Sequence, residues 1–266
     1  MLFSLQINAA NERIRKLLQE NLLVNYIQDI WRLKLKVNSM QKKPKVAIDG
    51  PAGAGKSTVA REIAKRLGLQ YLDTGAMYRA ITLKMIREKI DLDDIEALRS
   101  ILNRTVIRLG DHKEVYLDDE DVTEEIRKPF INEMVSPVSA QSAVRRHLVA
   151  LQQQIASETN GIIMEGRDTT SVVLPDADFK FYLDASLEER TRRRNREQLE
   201  KGIALSAEEV SAQIVKRDNI DSQRKDSPLT IVQDAIVIDT TNMDFEGVVI
   251  EIIRIIDTGK QLLENR

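Results

Sequence analysis

The chain has 266 residues, 42% of them hydrophobic, which is enough to bury one substantial core. Its 40 lysines and arginines against 42 aspartates and glutamates leave a net charge of −2, so composition gives no support to a surface that grips nucleic acid throughout. The lack of cysteine excludes disulfides and thiolate metal sites, and no apolar run approaches the roughly 18 residues of a membrane span. We therefore expect a cytoplasmic protein that binds neither membrane nor nucleic acid, and we take it to be a monomer.

Residues 1–43 differ from the rest of the chain in pattern and in charge. Apolar residues recur there at helical spacing and predict an amphipathic helix; they are Leu17, Leu18, Leu22, Leu23 and Ile27. From the first residue through Lys45 the chain contains nine lysines and arginines but only three acids, a charge balance that fits a membrane-surface or targeting helix. We favour a docked helix or a loose extension of unknown role. Translation that begins at Met40 is a further hypothesis.

From Lys45 onward, short apolar runs alternate with helical patterns. The runs resemble buried parallel strands and cover residues 46–48, 69–72, 162–164, 179–183 and 236–238. Such alternation predicts an α/β fold whose parallel sheet is flanked by helices. Between residues 91 and 137, a short helix near 95–102 precedes two strand-like runs, 106–109 and 114–117, which predicts a small insert with a hairpin.

A glycine-rich segment follows the first predicted strand directly. Residues 50–57, which we call the phosphate loop, fit the pattern G-x-x-x-x-G-K-S/T and lead into a helical run that stops at Gly68. The glycines let successive backbone N–H groups turn inward around phosphate oxygens, and the helix adds its positive N-terminal end. The predicted nucleotide-binding residues are Gly50, Pro51, Ala52, Gly53, Ala54, Gly55, Lys56, Ser57 and Thr58.

Two side chains of the phosphate loop have predicted roles toward a nucleoside triphosphate. Lys56 can reach the β- and γ-phosphates of ATP, and the Ser57 hydroxyl can ligate the Mg²⁺ ion that accompanies ATP. A switch GTPase would normally carry Asn-Lys-x-Asp after a later strand, and this sequence has no such segment. The phosphoryl group is therefore expected to pass to another acceptor.

Polar residues also follow two later strands, and they carry a resemblance. The segments are Asp73-Thr74-Gly75-Ala76-Met77-Tyr78-Arg79, Glu165-Gly166-Arg167-Asp168 and Phe181-Tyr182-Leu183-Asp184-Ala185-Ser186. In this order and spacing after the phosphate loop, they resemble the bacterial cytidylate kinases, a family of P-loop nucleoside monophosphate kinases. The resemblance covers about residue 45 to the C-terminus and implies a cytidylate kinase-like domain over 44–266.

The resemblance implies an activity and an organisation. The ATP γ-phosphoryl group would pass to CMP or dCMP, giving ADP and CDP or dCDP. A core would carry a monophosphate-binding insert, about 91–137, and a helical lid, about 187–205. The acceptor phosphate or sugar would lie on Thr74 and Arg79, and Asp168 would bind the sugar.

The cytosine edge would contact Ser136 and Arg145 by the same resemblance. A hydroxyl beside a charged guanidinium can satisfy both acceptor and donor atoms on a pyrimidine edge. Taken by themselves, these two residues are an ordinary loop serine and a solvated helix arginine.

Glu165 directly follows a predicted strand, where nucleotide-binding sheets often offer a carboxylate to the magnesium shell. Many members of the family have aspartate at this position, so the role of the longer side chain stays open. The charged group at 165–168 predicts part of an active site. An internal ion pair between Arg167 and a neighbouring acid is the alternative.

Five arginines lie within seven residues of a predicted helix: Arg190, Arg192, Arg193, Arg194 and Arg196. Three of them, Arg190, Arg193 and Arg194, share a face that could close over ATP, and Arg193 is assigned to catalysis. Pairing of the arginines with Glu188 and Glu189 within the helix is one alternative. Phosphate contacts to a nucleic acid are another.

Ser206 and Glu209 have capping-box spacing and predict a helix that carries Arg217 and Asp221 one turn apart. If the helix continues, Arg224 joins the same face before Pro228 interrupts the chain. A structural salt bridge between Arg217 and Asp221 is the plain alternative. The resemblance places Arg217 and Arg224 on phosphates and Asp221 on the acceptor.

Lys56, Arg193, Arg217 and Arg224 are thus the predicted catalytic residues, with no general base. Phosphoryl transfer needs mainly alignment and neutralisation of negative charge. The sequence is compatible with three functions. They are a kinase for CMP or dCMP, a kinase for another monophosphate or small acceptor, and a nucleotide-dependent binding module.

Overall fold

A computed structural model describes residues 42–110, 114–200 and 202–264. All elements named below belong to the unit Lys43–Arg266. The predicted N-terminal helix and Met40 lie outside the described residues. Within these ranges, no helix is both long and apolar enough to span a membrane.

The elements follow one another as the sequence patterns indicate. The first half contains β1 (Lys45–Asp49), α1 (Lys56–Leu67), β2 (Gln70–Asp73), α2 (Thr74–Glu88), α3 (Ile95–Arg104), β3 (Ile107–Leu109), β4 (Val115–Leu117) and β5 (Glu120–Asp121). The second half contains α4 (Pro129–Ala140), α5 (Ser142–Glu158), β6 (Ile162–Glu165), β7 (Phe179–Asp184), α6 (Leu187–Glu200), α7 (Ala207–Gln223), β8 (Ile236–Asp239) and α8 (Phe245–Glu264).

A parallel sheet in the order β2-β6-β1-β7-β8 forms the centre of the fold. Each predicted core strand is confirmed to within one residue at either end. The central strands β1 and β6 are buried on both faces and are short and mostly apolar, whereas the edge strands β2 and β8 are partly exposed. This sheet with helices on both sides confirms the predicted α/β class.

Alternation along β1 shows how the two layers of the core form. Val46 and Ile48 pack on one face with residues of α1 and α8, such as Ile63 and Ile252. Ala47 points to the other face, into a cluster with residues of α2 and α5. Successive strand side chains point to opposite faces, so one strand in the middle supports both layers.

The insert contains an antiparallel sheet in the order β3-β4-β5. The predicted hairpin is confirmed, since Ile107 pairs with Leu117 and Leu109 with Val115. The third strand, β5, was not predicted. It follows Asp118 and Asp119, whose φ angles of 51° and 68° are left-handed and turn the chain sharply.

The predicted capping box on α7 is confirmed, because Ser206 Oγ accepts from Glu209 N and the Glu209 carboxylate accepts from Ser206 N. The helix does not continue to Arg224, so the condition for placing Arg224 on the same helical face is not met. The helix ends at Gln223, and Arg224 is extended with φ −61° and ψ 145°. Its side chain turns back toward the loop that follows, where Nε donates to Ser227 O at 2.7 Å.

Candidate active site

A cavity of about 1400 Å³ lies at the carboxyl edge of the sheet. Every strand of the sheet ends there in an acidic residue: Asp49, Asp73, Glu165, Asp184 and Asp239. The predicted site residues that line the cavity are Ala52, Gly53, Ala54, Gly55, Lys56, Ser57, Thr58, Thr74, Arg79, Ser136, Arg145, Asp168, Arg193, Arg217, Asp221 and Arg224. Among the predicted residues, Gly50 and Pro51 lie behind this lining. Ligand crevices of α/β sheets occur at this edge.

The phosphate loop owes its path to glycine at defined positions. Gly53 and Gly55 have left-handed φ angles of 79° and 87°, and Gly55 is the N-cap of α1. Gly50 packs against the backbone of β7 so closely that a Cβ there would lie 2.0 Å from Leu183 O. The loop therefore holds its backbone against the sheet and presents the N-terminus of α1 to the cavity.

Lys56 is buried at the first position of α1, with only 5% of its surface exposed. Its Nζ donates to Pro51 O at 2.7 Å, so the side chain folds back over the phosphate loop. Burial, and then repulsion by Arg167, lower the pKa of Lys56, while Glu165 acts in the opposite direction. Negative charge bound beside Lys56 would restore its preference for the protonated form.

Ser57 and Glu165 meet next to the phosphate loop. Ser57 Oγ donates to Glu165 Oε1 at 2.7 Å, and Tyr71 OH lies 3.4 Å from the same oxygen. Burial, followed by repulsion from Asp73, raises the pKa of Glu165. A hydroxyl and a carboxylate thus stand side by side at the start of α1.

Thr74 and Arg79 belong to α2, which begins where β2 ends. Asp73 caps the helix by accepting from Ala76 N at 2.9 Å, and Thr74 Oγ1 donates to Glu165 O at 2.8 Å. Burial lowers the pKa of Arg79, although the nearby Asp73 opposes this shift. The helix start therefore holds a buried cation and a hydroxyl at the wall of the cavity.

The segment after β6 passes very close to this helix start. A Cβ on Gly166 would lie 2.5 Å from Thr74 Oγ1 and 2.6 Å from Thr169 Oγ1. Asp49 holds the next turn, because its carboxylate accepts from Thr169 N at 2.9 Å and from Thr170 N at 2.7 Å. These contacts fix where Arg167 and Asp168 enter the cavity.

Ser136 and Arg145 are buried in helices, so the view of them as a loop serine and a solvated arginine is wrong. Arg145 Nη1 donates to Ser139 O at 3.2 Å, and Nη2 pairs with Asp168 Oδ2. The Arg145 guanidinium also lies over the Tyr78 ring, 5.4 Å from its centroid. Pro137 follows Ser136 within α4.

Arginines surround Asp221 on three sides. Arg167 Nε donates to Asp221 Oδ2 at 2.8 Å, while Arg217 and Arg224 each approach the carboxylate to 3.8 Å. Burial opposes ionisation of Asp221, but Arg167 and Arg217 outweigh it and lower the pKa of Asp221. Arg224 also lies 3.4 Å from Asp168 and so joins the two acidic groups. The ion pair of Arg167 proposed as an alternative is therefore present, and it lies inside the cavity wall.

Arg217 is the cation whose charge is least compensated in this group. Burial, and then repulsion by Arg167 and Arg79, lower the pKa of Arg217. Arginine keeps its proton in proteins, so the shift expresses an unfavourable energy that a bound anion would remove.

The arginines of α6 divide differently from the predicted face. Arg192, Arg193, Arg194 and Arg196 line the cavity. Arg193 Nη2 donates to Thr240 O at 2.7 Å and Nε to Glu189 Oε1 at 2.7 Å, and Arg192 pairs with the same Glu189. The pairing with an acid earlier in the helix is therefore confirmed for both arginines.

Arg190 departs from the prediction that it faces the nucleotide. It is absent from the cavity lining, and it contacts the protein backbone and Asp218 instead. Helical periodicity placed Arg190 on one face with Arg193 and Arg194. Arg190 nevertheless contacts the phosphate loop, whereas Arg193 and Arg194 line the cavity.

Several cavity residues were missed by sequence reasoning. One group follows β8 and comprises Thr240, Met243, Asp244 and Phe245. Others are Arg127 and Asn132, which extend the wall formed by the insert and α4. The sequence offered one indication of Thr240, namely its position directly after a strand at the carboxyl edge of the sheet.

A cluster of three or more histidine, cysteine, aspartate or glutamate side chains suited to a metal ion is absent from residues 42–110, 114–200 and 202–264. The Ser57–Glu165 pair is the place where a hydroxyl and a carboxylate adjoin the phosphate loop.

Comparison with known proteins agrees with these features. The family model described as Cytidylate kinase matches residues 46–258. A cytidylate kinase of Caldanaerobacter subterraneus subsp. tengcongensis is 57% identical over 77% of this chain and 91% of its own length. The corresponding proteins of Carboxydothermus hydrogenoformans and Desulforamulus reducens are 46% and 48% identical, over 82% and 81% of this chain and 100% and 97% of their lengths. The chain belongs to the cytidylate kinase family.

Proposed function

We propose that this protein transfers the γ-phosphoryl group of ATP to CMP or dCMP, and releases ADP with CDP or dCDP. One observation carries the proposal: a single cavity joins the phosphate loop to the wall formed by Ser136, Arg145 and Asp168. Family membership supports a nucleoside monophosphate as the acceptor. It gives no support to the binding-module alternative.

The donor end of the cavity would hold the ATP triphosphate. Amides of the phosphate loop and the N-terminus of α1 provide donors for phosphate oxygens. Lys56, now bonded to Pro51 O, would exchange this carbonyl for the β- and γ-phosphates. The same exchange would raise its lowered pKa, so ATP binding and protonation of Lys56 favour each other.

The residues next to the phosphate loop fit a Mg²⁺ ion. Mg²⁺ is usually held by one or two protein oxygens together with nucleotide phosphates and water, and Ser57 and Glu165 offer such oxygens 2.7 Å apart. We infer that Ser57 is a direct ligand and that Glu165 supports the ion directly or through water. When bound, the ion would neutralise charge on the β- and γ-phosphates.

The acceptor end would take the monophosphate with its base toward the insert. Ser136 and Arg145 would contact the cytosine edge, and Asp168 the sugar. Thr74, Arg79 and Arg217 would hold the acceptor phosphate, with Asp221 keeping Arg217 and Arg224 in place. In this arrangement, residues 91–137 would form the acceptor-binding insert.

Transfer would consist of attack by an acceptor phosphate oxygen on the γ-phosphorus. The new P–O bond forms as the bond to the ADP oxygen breaks, and the electron pair leaves with ADP. The attacking oxygen is already ionised near neutral pH, since the second phosphate pKa is about 6, so no general base is needed. Arg193, Arg217 and Arg224 would stabilise the charge that spreads over the transferring group.

Helix α6 and the residues after it, about 187–205, would act as the lid. Four of its arginines line the cavity: Arg192, Arg193, Arg194 and Arg196. Closure of this segment on bound nucleotides would exclude water and so limit hydrolysis of ATP.

Acceptor selectivity gives the direct test of this function. ADP release from Mg-ATP is expected to rise strongly with CMP and dCMP, and to stay near the acceptor-free rate with AMP and GMP. The reason is that Ser136 and Arg145 can satisfy a cytosine edge, whereas a purine must fit the same buried wall. Stimulation by a purine monophosphate alone would overturn the acceptor assignment, and no stimulation by any acceptor would overturn the enzymatic function.

Removal of the two least compensated cations should reduce turnover with the fold intact. We expect Lys56→Ala and Arg217→Ala each to lower kcat by about 10³-fold, because each leaves phosphoryl charge without its partner. Arg254→Ala, which breaks an exposed pair with Glu251, is the control and should retain wild-type kcat. Circular dichroism melts check folding. Near-normal kcat in both site variants would contradict the assignment.

The metal proposal is tested by binding as well as by rate. Glu165→Gln should weaken Mn²⁺ binding in the presence of ADP by about tenfold, measured by electron paramagnetic resonance, because a charged oxygen beside Ser57 is lost. Half-maximal activity should also need more Mg²⁺. Glu251→Gln makes the same change on the exposed face of α8 and should alter neither value. Mn²⁺ affinity equal to wild type in Glu165→Gln would remove Glu165 from the metal site.

A further inference from the structure

Both backbone polar groups of one phosphate-loop residue, Ala52, are held by side chains from the two helices opposite. Ala52 N donates to Asp218 Oδ1 at 2.8 Å, and Arg190 Nη1 donates to Ala52 O at 2.9 Å. Asp218 belongs to α7 and Arg190 to α6. The donor and the acceptor of residue 52 are thus both occupied by charged groups, which form stronger hydrogen bonds than neutral partners.

The two side chains are also bonded to each other and to the sheet. Arg190 Nη1 lies 2.5 Å from Asp218 Oδ2, and Arg190 Nε donates to Ala185 O at 3.0 Å, directly after β7. Their side chains are 11% and 20% exposed, so solvent screens the pair only weakly. We call Arg190 and Asp218 the Ala52 clamp.

Packing around the clamp leaves the tip of the phosphate loop little room. Ala52 forms a small buried cluster with Val210 and Ile214 of α7. A Cβ on Gly53 would lie 3.1 Å from both Cβ and O of Arg190, so the loop touches the backbone of α6 as well. The tip is therefore enclosed by both helices.

We propose that Arg190 and Asp218 are positioning residues for ATP binding, which act through the backbone of the phosphate loop. Neither residue lines the cavity: the Asp218 carboxylate accepts from Ala52 and Arg190, and Arg190 Nε and Nη1 donate to Ala185, Ala52 and Asp218. The inference rests on the proposed function, since ATP is taken to be the ligand of this loop.

The clamp favours ATP binding for two reasons. First, a loop already fixed in its bound path loses less conformational freedom when the triphosphate arrives. Second, Asp218 directly follows Arg217 on α7, so the helix that holds the loop also places Arg217 in the cavity. Loosening the clamp would therefore weaken the donor site and disturb its spacing to Arg217, without touching Ser136 or Arg145.

A double-mutant cycle tests the proposal. Arg190→Ala, Asp218→Ala and the double variant are compared with wild type for the dissociation constants of ATP and of CMP, each measured alone by calorimetry. We expect each single change to weaken ATP binding by about tenfold. The double variant should bind ATP no more weakly than the single variant with the lower affinity, because the two side chains act as one unit. CMP binding should change by less than about twofold.

The control removes an exposed acid that does not line the cavity. Asp234→Ala breaks the contact between Asp234 and Lys180, and it should leave both constants at the wild-type value. If the alanine variants do not fold, Arg190→Lys and Asp218→Asn replace them. Asp218→Asn keeps an oxygen for Ala52 N–H but presents an amide to Arg190, so ATP binding should again weaken while CMP binding holds.

Three results would overturn the proposal. They are wild-type ATP affinity with only a lower melting temperature, losses that multiply in the double variant, and an equal loss of CMP affinity. Acceptor-dependent ADP release by the wild-type protein is measured in parallel. A wild-type protein inactive with every acceptor would refute the proposed function, whereas an active wild type with unaffected clamp variants refutes the clamp alone.

Discussion

Positive charge held wholly or partly out of water at the carboxyl edge of the sheet is the constraint on which the rest of this site depends. Lys56, Arg79 and Arg217 all have lowered pKa values, and burial is the largest cause for each. Taking a cation out of water is costly unless an anion accompanies it. The fold tolerates this cost because a parallel sheet with a packed core on each face holds the surrounding backbone. Phosphate groups would supply the missing negative charge. The energetic cost of the uncompensated cations would therefore favour binding of phosphate-bearing nucleotides.

The acids of the cavity serve mainly to orient arginines. Asp168 lies between Arg145 and Arg224, and Asp221 contacts Arg167, Arg217 and Arg224. These contacts fix guanidinium planes in a region where several cations would otherwise repel one another. Glu165, whose carboxylate is bonded to Ser57, is placed instead at the donor end. Acids that orient cations and an acid beside the phosphate loop thus line one cavity, which matches a reaction between two phosphate-bearing substrates.

The sequence was sufficient for the features that depend on local pattern. Core strands were located to within one residue because each is a short apolar run that ends in an acidic residue. The phosphate loop followed from glycine spacing next to a strand and a helix. The burial of Ser136 and Arg145 was not predictable, since it depends on the packing of α4 and α5 against the segment after β6.

Arg190 and Arg224 show where helical periodicity stops being informative. Periodicity grouped Arg190 with Arg193, but it could not show that Asp218, 28 residues later, would draw Arg190 onto Ala52. Arg224 is an extended residue just beyond the end of α7, so a helical wheel does not show that it reaches Asp168 and Asp221. The position of Arg190 depends on how α6 and α7 meet the phosphate loop, and that of Arg224 on how the chain leaves α7.

If the donor and acceptor sites meet in one cavity, a single bisubstrate ligand should occupy both, and its binding tests this arrangement most directly. Adenosine and cytidine joined 5′ to 5′ through a polyphosphate chain would be titrated into the protein by calorimetry, alone and with saturating ATP or CMP. The account predicts one molecule bound per chain, far more tightly than ATP or CMP, and displacement by either nucleotide. An affinity no greater than that of ATP, with CMP still able to bind, would contradict it.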